Sequence, residues 1–215
     1  MPVHAPETPG RGTRFTRVEL EAARSATLPD LIADDLTLLL CGINPGLGSA
    51  AAGLHFSNPG NRLWPALHRA GFTPRRFSPT DENELLALGI GITTLVPRAT
   101  ARAAELERRE LVDGGRRLRA RVRRRRPAWL APLGITAYRV AFDTPGASVG
   151  LQARTLGSTR IWVLPNPSGL NAHYPPARLA EEFARLREAI GLPDRAAEGP
   201  APGAGPGPVP RSTPS

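Results

Sequence analysis

A chain of 215 residues with 40% hydrophobic side chains can build one domain with a real core, and no apolar run approaches the roughly eighteen residues that a membrane span needs. Its formal net charge of +9 comes from 28 basic residues, all arginine, against 19 acidic ones; with no lysine, a Schiff-base mechanism through a lysine amine is excluded. Cys41 is the single cysteine, which rules out an intrachain disulfide and a cysteine-built metal or cluster site, and points to a reducing, cytoplasmic setting.

Residues 1–17 are polar and proline-rich, lack the apolar core of a signal peptide, and are expected to form a disordered arm. A single domain is expected over residues 18–192. Val18 to Ile32 mixes leucine, alanine and charge and suits a helix ahead of the first strand. Leu36 to Ile43 is the nearly continuous apolar run of a central parallel strand. Asn61 to Ala70 has Leu63, Leu67 and Ala70 at helical spacing, with Gly71 as its stop. Ser78 to Glu82 opens a short helix that Gly89 ends, and Ile90 to Val96 reads as a strand. Glu105 to Arg126 is the longest predicted helix, carrying Leu111, Leu118 and Val122 on one side. Ala128 to Leu133 is the next strand, Ile135 to Phe142 a helix, and Ile161 to Leu164 the last strand. Pro176 to Ile190 is a helix, with Pro176 in its first turn and Gly191-Leu192-Pro193 as its stop. Residues 193–215, rich in Ala, Pro and Gly, are expected to be a disordered tail. Alternating strands and helices predict an α/β three-layer sandwich, a short, mostly parallel sheet flanked by helices.

The charge is uneven. Residues 36–190 hold 22 arginines against 11 acidic residues, so the excess lies on the folded part rather than on a basic tail. A basic globular surface suits a polyanion such as DNA, although an arginine-rich codon bias gives the same composition. Arg123 to Arg126 ends a long helix just before a strand. That places it at the edge of the sheet opposite the strand carboxyl ends, where it reads as a solvated helix end that complements the macrodipole.

Two segments carry the candidate chemistry. Leu38 to Cys41 runs into Gly42-Ile43-Asn44-Pro45-Gly46, and Ile161 to Leu164 runs into Pro165-Asn166-Pro167-Ser168-Gly169-Leu170. Each is a buried strand ending in a turn with one asparagine. Ligands of open α/β sheets bind beyond such strand ends. An amide does not ionise at neutral pH, but it offers two donors and an acceptor, which suits reading a nucleobase edge or holding a water and does not suit proton abstraction. An Asn-Pro turn also serves as a simple helix cap or local backbone bond.

These two segments resemble the signature motifs of the mismatch-specific uracil-DNA glycosylase and thymine-DNA glycosylase family. Between them, Phe56-Ser57-Asn58-Pro59-Gly60-Asn61-Arg62-Leu63-Trp64 and Gly89-Ile90-Gly91-Ile92-Thr93-Thr94-Leu95-Val96 are similar to the family pattern. The resemblance runs from about Leu36 to Ile190 and implies a uracil-DNA glycosylase-like fold. It also implies a monofunctional enzyme, with neither cofactor nor metal, that acts as a monomer in the cytoplasm on double-stranded DNA at the nucleoid. Such an enzyme flips uracil, or a bulkier damaged pyrimidine such as ethenocytosine, out of a mismatch with guanine and hydrolyses the N-glycosidic bond. Thymine remains an open case, and a module that flips bases without cleaving them is the alternative.

By resemblance, Asn44 orients the attacking water. Asn166, where related families often carry histidine, donates to the base, with Ser168 beside it. Phe56 stacks on the flipped base, unless it is an ordinary core residue, and Ile43 and Ser49 line the pocket. Gly46 stands where strict uracil enzymes carry an aromatic residue that excludes thymine, so the pocket should be permissive; Ser49 hinders thymine in part. Gly169 and Leu170 form the wedge that fills the hole in the stack, with Asn171 at the backbone. Ala172 occupies the place of a family arginine, which leaves the opposite-guanine preference open. Arg62 is expected at a phosphate. His55 and His173 flank the site as surface or loop histidines.

Overall fold

The computed structural model describes residues 15–198. Most of the expected N-terminal arm and C-terminal tail therefore lies outside the described residues. Five strands form one sheet: β1 (Leu38–Gly42), β2 (Ile90–Thr94), β3 (Trp129–Pro132), β4 (Gly150–Leu156) and β5 (Thr159–Val163), in the order β2-β1-β3-β5-β4. All neighbours are parallel except β4, which runs antiparallel to β5. The expected sandwich is what forms, with eight helices among the described residues: α1 (Arg17–Ala22), α2 (Leu47–Ala52), α3 (Leu63–Arg69), α4 (Glu84–Ala87), α5 (Arg108–Arg125), α6 (Ile135–Phe142), α7 (Pro176–Ala189) and α8 (Arg195–Glu198).

Strand alternation divides the core. Leu38 and Leu40 of β1 point to one face, where they meet Leu63 and Leu67 of α3 and Leu179, Phe183 and Leu186 of α7. Leu39 and Cys41 point to the other, against Leu118 and Val122 of α5 and Ala137 and Tyr138 of α6. Every residue of β1, β2 and β3 is buried, as helices on both faces of a parallel sheet require. In mid-α5, Gly114 and Gly115 let the helix lie directly on the Leu95 and Ala141 carbonyls. Any Cβ would collide with those oxygens, so the weak helix propensity of two glycines is offset by close packing.

Several expected elements change at their edges. The helix foreseen over residues 18–32 is α1, opened by a reciprocal Thr16–Glu19 capping box, followed by a 3-10 turn over Ala23–Ser25. Pro29 cannot supply the amide a longer helix would need. Beyond it, Leu31 exchanges two backbone hydrogen bonds with Ile92, of 2.9 and 2.7 Å, and covers the outer edge of β2. The long helix starts at Arg108 rather than at residue 105, because Glu107 and Glu110 build a capping box there. The chain stays packed past residue 192: the Arg195 amide donates to the Gly71 carbonyl at 2.9 Å.

Candidate active site

The first motif follows directly from the end of β1. Its backbone is clasped along its length by residues 95–100. The Leu95 and Val96 amides donate to the Gly42 and Ile43 carbonyls at 2.9 Å each, and Thr100 donates to Pro45 at 3.1 Å. Leu47, at the start of α2, returns a bond to the Thr100 carbonyl. Within this clasp the Asn44 Nδ2 donates to the Arg98 carbonyl at 2.9 Å and to Thr100 Oγ1 at 2.7 Å, with the Pro45 carbonyl at 3.2 Å. A carbonyl can only accept, and the Thr100 hydroxyl gives its own proton to the Arg102 carbonyl at 2.9 Å. Both partners therefore demand the nitrogen, which fixes the amide orientation. Asn44 Oδ1 accepts no bond among the described residues.

Around this turn the space is graded. Gly46 has ordinary backbone angles (φ −72°), and a Cβ there would meet nothing within 4 Å. Neither backbone nor packing requires a glycine at 46; what the glycine leaves is room. Ser49 is buried and its oxygen accepts from the Ser57 amide at 3.1 Å, so the hydroxyl ties α2 to the following loop. On that loop Phe56 has φ +51°, a strained value for an aromatic residue, and its ring edge lies against Gly42, where an added Cβ would sit 3.0 Å from Cζ. The ring therefore rests on the carboxyl end of β1, half-buried against the α3 side of the core.

The Phe56 turn has an anchor outside both motifs. Glu82 accepts from the His55 amide at 2.8 Å, and His55 Nε2 lies 3.0 Å from the Pro29 carbonyl, so that nitrogen carries the proton. His55 is in a loop, as expected, but it is not at the surface: it is 3% exposed, because the Pro29 segment covers it. Burial pushes the Glu82 carboxyl above its usual range despite the opposing His55 amide.

The second motif leaves β5 through Leu164, which bridges Leu133. Asn166 Oδ1 accepts from the Ser168 amide at 3.0 Å, an Asx turn that directs the amide nitrogen away from its own loop. That nitrogen donates to nothing among the described residues. The Leu170 amide donates to Ser168 Oγ at 3.3 Å, and Asn171 Nδ2 to the Asn166 carbonyl at 2.9 Å. A Cβ at Gly169 would overlap the Gly60 carbonyl oxygen, so the loop approaches Asn58–Gly60 closely. At the tip, Leu170 is 82% exposed, more than any other large hydrophobic side chain described. His173 is exposed beside it.

Arg62, expected at a phosphate, is engaged elsewhere. Its guanidinium donates to the carbonyls of Gly169 at 2.8 Å, Tyr174 at 2.9 Å and Asn171 at 3.2 Å. It holds the root of the Leu170 loop, which is a positioning role. Gly134, after β3, was not foreseen as part of the site. It has φ +136°, and a Cβ there would meet Ile43 Cδ1 at 3.1 Å and Asn166 Cβ at 3.7 Å. One glycine thus lies between the two motifs and lets them approach. Cys41, under the first turn, is buried and its thiol is pushed up to about 12, so it acts as a core side chain. Arg125 and Arg126 pair with Asp34 and Asp35 at the strand-start edge of the sheet, away from both turns.

A profile of the uracil DNA glycosylase superfamily matches residues 29–189. The fold is also similar to the solution NMR structure of a candidate uracil DNA glycosylase from Methanosarcina acetivorans. The TM-score is 0.54 at 18% identity, over 76% of this chain and 96% of that one. At such identity the likeness speaks for the fold, and the profile speaks for the family.

Proposed function

Given that the chain belongs to the uracil DNA glycosylase superfamily, whose members are hydrolytic DNA glycosylases, we propose that it removes uracil and bulkier damaged pyrimidines such as ethenocytosine from mismatches with guanine. The observation that carries this reading is the amide of Asn44. Its nitrogen is held by Arg98 and Thr100 and its oxygen is unclaimed, which leaves an acceptor fixed in place for one proton of a water. The opposite arrangement at Asn166 leaves a donor for a base carbonyl as charge develops on the leaving base.

In the reaction, the C1′–N bond breaks, the water oxygen bonds to C1′, and its proton passes to solvent or base. An amide orients water but removes its proton poorly. Bond breaking therefore runs ahead of attack, through an oxocarbenium-like sugar, and turnover is slow. Asn166 lowers the barrier by donating to the departing base rather than by protonating it. Phe56 offers a face for stacking, worth about 1–3 kcal/mol, and the space beside Gly46 admits substituents on the base. The exposed Leu170 supports a wedge, where an apolar side chain offsets the cost of unstacking. Water as nucleophile leaves an abasic site without strand cleavage.

The test is an end-labelled duplex with one G·U pair, incubated with the protein and then treated with alkali. Strand breakage at the uracil only after alkali is the expected result. Tight binding without any alkali-dependent break would replace this reading with that of a base-flipping binding module.

A further inference from the structure

The first turn of α5 lies beside the first motif, since Glu110 there holds the side chain of Arg98, whose carbonyl holds Asn44. From that point one face of α5 carries Arg108, Arg116, Arg119 and Arg123. At 100° per residue these four fall within an arc of about 80°, and at 1.5 Å per residue they span about 22 Å. Arg108, Arg116 and Arg119 of this face form one wall of a cavity of about 690 Å³ between α5, the end of α6 and β4, and Arg123 continues the row one turn further along the helix, outside the lining. Arg154 of β4 lines the opposite side, and Asp143 is the single acidic residue among the lining.

Two of these guanidinium groups are fixed. Arg119 donates to the Ala141 carbonyl at 3.0 Å and lies 5.3 Å over the Phe142 ring, and Arg154 donates to the Phe142 carbonyl at 2.8 Å. Among the described residues, Arg108, Arg119, Arg123 and Arg154 form no ion pair; Arg116 pairs only with the neighbouring exposed Asp113. Burial, and then the charges of Arg154, Arg123 and Arg116, weaken the hold of Arg119 on its proton. Like charges gathered with so few carboxylates among them are relieved by an anion with many charges.

We infer that this arginine-lined groove is a track for the phosphate backbone of DNA flanking the lesion, leading away from the first motif along α5. The length of the stripe selects the occupant. Twenty-odd ångströms of aligned cations exceed what a compact anion can neutralise, whereas duplex DNA carries a charge every ~1.7 Å along its axis. This rests on the DNA reading of the family, but it is tested without any excision.

The measurement is binding of undamaged duplex as a function of salt. The subject is Arg108→Gln with Arg116→Gln, both exposed in the groove. The control is Arg117→Gln with Arg124→Gln, exposed on the same helix about 80–180° away from the stripe and equal in net charge. Loss of two phosphate contacts lowers the slope of log K against log salt by about 1.8, with roughly tenfold weaker binding at 0.1 M salt, in the groove pair only. The loss should vanish on a duplex too short to reach past the first motif. Equal effects of both pairs, no effect of either, or displacement by tripolyphosphate or an oligoglutamate but not by longer duplex would overturn the proposal. A protein that binds through this groove yet excises nothing would fault the enzymatic reading alone.

Discussion

The two motif turns use the same side chain in opposite senses. At Asn44 the nitrogen is bound by a carbonyl and by a hydroxyl whose own proton is already given to Arg102, and the oxygen is left over. At Asn166 the oxygen is bound by the Ser168 amide, and the nitrogen is left over. The difference arises in the chain beyond each turn. The first turn is wrapped by a distant segment that offers a carbonyl and a hydroxyl, while the second closes on itself through the next residues and offers an amide. One amide therefore presents an acceptor and the other a donor. The hydrogen-bonding polarity of each turn is set by which end of the amide its neighbours have already claimed, not by ionisation.

The comparison is broken most severely at Asn44. Asn44→Ala should lower single-turnover excision of uracil by about a hundredfold or more while leaving DNA affinity nearly intact, as for other positioned catalytic groups. Near-normal rates would remove Asn44 from the mechanism. At Asn166 the substitution that sharpens the contrast is Asn166→Asp. It keeps the Ser168 bond, removes the donor and sets a negative charge against the departing base, so the rate should fall at least as far as in Asn166→Ala, roughly ten- to a hundredfold or more. A fully active Asp variant would show that the free nitrogen does nothing.

Smaller effects follow from the space around the first turn. Gly46→Tyr should suppress action on ethenocytosine or 5-substituted bases more than on uracil. Ser49→Ala should raise activity on G·T by a modest factor, since one small contact is worth about 1–3 kcal/mol; matched single-turnover rates on the three duplexes check both. The Ser49 gain is tempered by the lost Ser57 bond. Equal losses on all substrates in Gly46→Tyr would remove position 46 from the specificity pocket.

The smallest effect concerns the clasp itself. Arg98 donates to both carboxyl oxygens of Glu110 at 2.8 Å, and that contact, followed by the Glu107 amide, holds the Glu110 carboxyl down to about 2 from an ordinary value of 4.5. A depressed carboxyl contributes stability above its unfolded value and loses it as pH falls through the folded one. The difference in melting temperature between the wild type and Glu110→Gln should be constant above pH 4.5 and shrink as pH drops towards 2. It should amount to a few degrees at most, because the pair is largely solvated. A difference that grows with acidification would refute the assignment.

Much of this was legible in the chain. The apolar runs at Leu36–Ile43 and Ala128–Leu133 became β1 and β3 because both faces are buried, and Ile135–Phe142 became α6 residue for residue. The antiparallel β4 was not legible: on this edge strand with one neighbour, Arg154 and Thr155 are exposed and Gln152 is only half-buried, so no apolar pattern marks them. Nor was α2, whose N-cap is Gly46, without a side chain to signal it. That Asn44, Asn166 and Leu170 sit on the turns beyond β1 and β5 could be read from the motifs, but the contacts that support them could not. A backbone carbonyl at Arg98 has no sequence signature, and the three carbonyls that engage Arg62 lie on a loop more than a hundred residues away.

The segment before β1 has a consequence for how the protein can be shortened. Leu31 pairs with Ile92 on the outer edge of β2, and Pro29, two residues earlier, receives the buried His55 proton beneath the Phe56 turn. Trimming the chain to begin at β1 would unpair the Ile92 amide and carbonyl and leave the outer edge of β2 open, the template on which sheets join edge to edge, and would at the same time loosen the Phe56 turn. A truncated protein should therefore lose solubility and activity together, although it would retain every residue of both motifs.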